Sequence, residues 1–198
     1  MLRKIATIFA CCLLGACAAV GVVASSDPNQ KLKDAYSLLQ ENRPYPAERL
    51  MTDAIAGFKE QKDPYGLALA QFMYGQFVSR QYFEWPLFRK MYPNTETVEQ
   101  RHALASRYFT DAITNIHIAA ADPKLTHDTR TGYYWREYLV HQEMQSNEGM
   151  CTSLRNMRVE HEAFAKESPN SRVHVPEGFA TFDEYIRAAQ NNAACSVL

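Results

Sequence analysis

Apolar residues recur at three- and four-residue intervals along almost the whole body of this 198-residue chain, a spacing that commits it to α-helices packed on one another. Asp27-Pro28 and Asp63-Pro64 each set a capping carboxylate before a Pro in the first turn, where the missing N–H costs nothing. A helix from Pro28 is expected to bury Leu32, Ala35, Tyr36 and Leu39 before Pro44 and Pro46 stop it. The next, over 46–60, carries Ala47, Leu50, Met51, Ala54, Ile55 and Phe58 on one stripe. Residues 64–83 are apolar over much of the helical circumference, which predicts cover on more than one side. Beyond a connector at 82–94, Thr95 is expected to cap a helix with Val98, Leu104, Ala105, Tyr108, Ala112, Ile116 and Ala119, ended by Asp122-Pro123. Helices over 128–147 and 150–166 follow, joined by a turn at Asn147-Glu148-Gly149; the second carries Leu154, Met157, His161, Phe164 and Ala165. Residues 173–179 have some strand character, interrupted by Pro176 and Gly178, and Thr181 caps a last helix with Phe182, Tyr185, Ile186 and Ala189. About seven helices and no convincing strand pair give an all-α class, and short connections predict antiparallel neighbours.

Thr52-Asp53-Ala54-Ile55 recurs as Thr110-Asp111-Ala112-Ile113, each copy followed by an Asp-Pro pair. In the second copy Ala112, Ile116, Ala119 and Pro123 fall much as Ala, Phe, Ala and Pro do in the second helix of a tetratricopeptide repeat, and the segment resembles that superfamily. The positions matching the Trp, Leu-Gly and Tyr of the repeat's first helix hold Glu96, Glu99, Gln100 and Ala103 instead. The resemblance implies a solenoid of stacked antiparallel hairpins; an irregular helical bundle is the alternative. Either way each hairpin leaves an apolar face that only a stacked neighbour covers.

The N-terminus reads as an export signal: Arg3-Lys4, an apolar run from Ile5 to Leu13, then small residues. Leu14-Gly15-Ala16-Cys17 resembles the lipobox of bacterial lipoproteins. That resemblance implies removal of residues 1–16, lipidation of Cys17, a tether over 17–31 and one helical domain over 32–198. Ala18 after the Cys, rather than Asp, implies outer-membrane sorting with the body facing the periplasm. Two other readings stay open: secretion after a cut at Ala24, or an uncut anchor over 5–24, long enough to span a bilayer. Of five cysteines, Cys11 and Cys12 leave with the signal and Cys17 carries lipid, so Cys151 and Cys195 form the one candidate disulfide of an oxidising compartment. Cleavage removes two cations and no acid, moving the formal charge from −1 to −3. With no basic stripe, nucleic acid is excluded as the expected partner.

No catalytic constellation is assigned. His161-Glu162 lacks the second His four residues on, where Ala165 stands. Glu167-Ser168 resembles the Glu-Ser pair of lytic transglycosylases without that family's downstream segment. There is no Gly-x-Ser-x-Gly elbow and no phosphate loop. His102, His117 and His141 read as surface or packing positions, and Asp122, His127 and Asp128 as a capping corner. Glu137, His141 and Glu143 share a helix edge, which alone supplies too few metal ligands. No metal or cofactor is therefore expected.

The connector gathers Tyr82, Phe83, Trp85, Phe88 and Tyr92 beside Arg89 and Lys90. Tyr, Trp and Arg anchor interfaces, which makes Tyr82, Trp85, Phe88, Arg89 and Tyr92 candidate partner-binding residues; in the competing reading the rings fold back as a core plug. Tyr133, Tyr134, Trp135 and Tyr138 wrap around one helix, so Tyr133 and Trp135 are candidates for a groove rimmed by Arg130, Arg136 and Glu137. The expected function is a non-enzymatic, membrane-anchored docking subunit for an envelope protein, within a secretion, pilus or cell-wall apparatus. The alternatives are toxin neutralisation, a small-ligand or lipid carrier, and a cell-wall hydrolase.

Overall fold

Side-chain caps start the helices much as the sequence places them. In a computed structural model of the protein, which describes residues 25–80, 85–93, 95–171 and 175–195, eight helices and no strand occur among the described residues. They are α1 (Pro28–Gln40), α2 (Pro44–Gln61), α3 (Pro64–Ser79), α4 (Pro86–Met91), α5 (Val98–Ala120), α6 (His127–Glu143), α7 (Asn147–Glu167) and α8 (Phe182–Asn192). Asp27, Asp63, Thr97, Thr126, Ser146 and Thr181 accept hydrogen bonds from backbone N–H groups of the turns they open. The first helix thus begins inside the stretch assigned to the tether.

Three boundaries differ from expectation. Thr97, not Thr95, caps α5, because Gln100 returns a bond to the Thr97 N–H and closes a capping box. Thr95 is buried instead, its hydroxyl donating to the Tyr92 carbonyl at 2.6 Å. The turn after α6 lies at 144–146, with Gln145 in the left-handed region at φ 55°, and Gly149 is helical. Gly149 marks a close approach rather than a turn: a Cβ there would lie 2.1 Å from the His141 ring. Residues 175–180 form turn and coil, with no strand.

Successive helices run antiparallel, as their contacts show. Lys31 of α1 pairs with Asp53 of α2, and Tyr74 of α3 reaches back to Glu48 of α2. Asn115 of α5 donates to Gln71 of α3, and the Phe109 ring leaves no room for a Cβ at Gly75. Arg130 of α6 donates to the Ala120 carbonyl of α5. His127 of α6 meets Glu160 of α7, and Arg158 of α7 donates to Gln190 of α8. The array is therefore three stacked hairpins, α1/α2, α3/α5 and α6/α7, closed by α8. The first helices of the second and third hairpins run parallel: Tyr65 stacks on Tyr133, and Gln76 donates to Glu143.

The two Thr-Asp-Ala-Ile copies lie on α2 and α5, the second helices of consecutive hairpins. Ala54 and Ala112 are fully buried in both, and the Thr52 and Thr110 hydroxyls donate to the carbonyls four residues before them. Their wide offset arises because residues 80–97, with α4, are inserted between the helices of the second hairpin, where 41–43 and 144–146 suffice in the others. Central α3 packs against α2, α5 and α6, which explains its apolar circumference.

Two cores result. The larger runs from Leu32 through Met51, Phe58, Phe77 and Ile116 to Val140. The smaller joins Tyr138, Leu154 and Met157 to Phe182, Ile186 and Ala193 of α8. Helix α6 sits between them, sending Val140 one way and Tyr138 the other. Three expected core positions are exposed. Tyr36 is 58% exposed because the α1 face follows Pro28, Leu32, Ala35 and Leu38; Val98 is 49% exposed on the first turn of α5; Ala165 lies beyond the last buried turn of α7. Cys151 and Cys195 are disulfide-bonded, with Cα atoms 5.6 Å apart.

Candidate functional site

The connector is mostly core. Phe88 is fully buried, packing edge-on to Phe77 at 5.4 Å and against Tyr45 at 4.7 Å. Trp85 lies edge-on to Tyr45 at 5.3 Å. The expectation of Phe88 as a docking residue is corrected by this burial: α4 is a plug that fills the space above α2 and α3. Arg89 points outward on the same short helix and is exposed. Tyr82 and Cys17 lie outside the described residues.

Tyr92 closes the plug. Its hydroxyl donates to Glu48 Oε1, a carboxylate buried between α2 and α3. The Tyr74 hydroxyl reaches the same oxygen at 3.1 Å and the Tyr92 hydroxyl at 3.0 Å. Burial, then the Glu48 hydrogen bond, push the Tyr92 phenol up to about 12, and burial raises Tyr74 as well. Both phenols therefore stay protonated and serve as donors, which lets an acid sit in the core. This arrangement is structural: two phenols from α3 and the plug converge on one buried carboxylate oxygen.

A second buried carboxylate, Glu137 of α6, is 2% exposed. His117 Nε2 of α5 lies 3.0 Å from its Oε1, and His141 Nε2 lies 3.6 Å from the same atom. Burial raises this carboxyl, but the contacts with His141 and His117 outweigh it and hold it below the usual range. Near the other end of α6, His127 lies 2.5 Å from Glu160 and 3.3 Å from exposed Glu167. Glu167 is thus a surface partner of His127. Among the described residues no group of three such side chains is arranged to hold a metal ion. His161 stacks on Phe182 at 4.2 Å, a packing role.

Several clefts are open on the surface, including one of about 500 Å³ beside Tyr92 and Leu104; the one that draws on all three hairpins, about 310 Å³, lies on the side of the array formed by first helices. Leu32 of α1 and Leu69, Phe72 and Met73 of α3 line it, with Tyr36 standing exposed on α1. Arg80, just past α3, and Arg136 of α6 are the charged residues that line it among the described residues, with no acid between them. The Arg136 guanidinium lies 5.9 Å from the Phe72 ring centre and 5.3 Å from that of Trp135. Of the expected groove residues, Trp135 is 37% exposed and donates from Nε1 to the Tyr185 hydroxyl at 2.9 Å. Tyr133 is half-buried against Tyr65, tying α6 to α3 rather than standing free. Tyr36, Arg80 and the apolar residues of α3 were missing from the sequence-based site. No local signal marks them, because the cleft exists only once three hairpins are stacked. Among the described residues no helix is long and apolar enough to cross a membrane. The chain matches no protein-family model, no curated protein and no solved structure.

Proposed function

We propose that the protein is a docking subunit: a periplasm-facing lipoprotein, tied to the outer membrane through Cys17, whose stacked hairpins hold a segment of another envelope protein in the cleft between α1, α3 and α6. The observation that carries this reading is the cleft itself. It draws residues from all three hairpins, with an apolar floor, an exposed tyrosine and two guanidiniums at its edges. Aromatic and arginine side chains around an apolar centre are the composition of interface anchors. The buried carboxylates elsewhere lie away from the cleft, with Oε1 of Glu48 taken by two phenols and Oε1 of Glu137 by His117 and His141.

The test is site-specific photo-crosslinking in intact cells. A crosslinking amino acid at Tyr36 is expected to give one discrete protein adduct, and the same group at exposed Val159 on α7 none. Smears or no adduct at position 36, with the protein expressed and exported, would remove the reading. In parallel, Cys17→Ser is expected to abolish incorporation of labelled palmitate.

A further inference from the structure

We infer that the segment held in this cleft is acidic: an apolar peptide stretch bearing Asp or Glu carboxylates, received by Arg136 and Arg80. The inference rests on the docking reading above and adds the chemistry of the occupant.

Charge is one-sided here. Among the described residues the cleft has two cations and no anion along its lining, although the chain as a whole is nearly neutral. The acids closest in sequence to Arg136 are committed elsewhere. Glu137 is turned to His117 and His141, and Glu143 accepts from Gln76 at 2.7 Å. Neither Arg136 nor Arg80 forms an ion pair among the described residues.

Arg136 is also held in place. Its guanidinium is kept near the Phe72 and Trp135 rings, where the π faces favour a cation. Its Nε is shielded from solvent and has no hydrogen-bond partner. An unmet buried donor is unfavourable, and more so when it is charged. A planar guanidinium already oriented by rings is suited to a carboxylate, which takes two parallel N–H bonds where a neutral amide takes one. A basic segment would be repelled by both arginines. A wholly apolar one would cover them without meeting their donors.

The floor decides what flanks the carboxylate. Leu32, Leu69, Phe72 and Met73 offer sites for apolar side chains, and 310 Å³ is the room of a few side chains, not of a folded surface. A short peptide stretch with carboxylates among aliphatic or aromatic residues satisfies both the floor and the edges.

The experiment is selection of a random dodecapeptide library on the full-length purified protein, followed by fluorescence anisotropy with the enriched peptides. Enriched sequences are expected to carry Asp or Glu next to apolar residues. Converting the carboxylates to amides is expected to weaken binding about tenfold to a hundredfold, the worth of one charge-assisted hydrogen bond. Arg136→Gln is expected to remove that difference with an unchanged far-ultraviolet spectrum. Arg80→Gln, beyond the end of α3, provides a second reading that does not touch the packed rings. Neutral or basic peptides that compete with crosslinking at Tyr36 would overturn the acidic occupant and leave the docking reading standing. Failure to enrich any peptide over a Tyr36→Ala, Met73→Arg variant would overturn both. Binding to vesicles of anionic phospholipid in place of peptides would overturn the acidic-peptide assignment as well.

Discussion

Replacing Cys151 and Cys195 together by Ser is expected to loosen α8 and leave the first two hairpins unchanged. The bridge joins residues 44 apart in sequence, and loop-closure entropy for that length is worth about 4 kcal/mol at 25 °C. Helix α8 is otherwise held by Phe182, Ile186 and Ala189 in the smaller core and by the Arg158–Gln190 hydrogen bond. Burying Phe182 and Ile186 contributes roughly 1.5–3 kcal/mol each, enough to keep the helix docked without its tie. The helical content should therefore stay the same while the opening free energy of α8 falls. Native-state hydrogen exchange read by mass spectrometry resolves this. Amide protection over 182–192 is expected to drop by up to about three decades, the equivalent of 4 kcal/mol. Protection over 64–79, in the larger core, is expected to change by less than about threefold, since a stacked array transmits stability mainly to neighbours. Equal losses in both segments, or none over 182–192, would refute the division into two cores that this rests on.

Phe88→Ala removes a fully buried ring from between α2 and α3 and is expected to cost about 3–5 kcal/mol, read from the midpoint of urea unfolding. A loss under about 1 kcal/mol would mean that α4 is not a plug. Glu137, whose carboxyl is held below its ordinary 4.5, stabilises the folded chain fully above that pH and loses the contribution as pH falls through its lower folded-state value. The stability gap between the wild type and Glu137→Gln is therefore expected to shrink as the pH falls below about 4.5, as followed by urea midpoints.

The local chemistry of the fold was readable from residues alone. Asp27-Pro28, Asp63-Pro64 and Thr181 start helices because a cap needs only its own first turn, and the Thr-Asp-Ala-Ile repeat marked equivalent faces of two hairpins. Errors entered where one residue type serves two purposes. Gly149 was read as a turn, but its missing side chain makes room for His141 within a helical pair. Thr95 and Thr97 are both plausible caps, and Gln100 selects the second. Tyr36 fell on the wrong face through a one-residue error in phase, and that error hid a wall of the cleft. Long-range partners were beyond reach. Nothing near Glu48 signals two phenols, and nothing near Glu137 signals His117 on the preceding helix. Trp135 stands out in the sequence because an aromatic crowd exceeds what one buried face accepts, yet it lies beside the cleft without lining it, whereas Arg136, expected only as part of a rim, does line it.

The Glu48 carboxylate makes α4 more than a filler. It is buried between α2 and α3, and its two phenol donors come from α3 and from the residue after α4. Lifting α4 away takes the Tyr92 hydroxyl with it and leaves a core carboxylate short of a donor, which is penalised. The short helix and the side of α2 it covers are therefore expected to open together rather than one at a time.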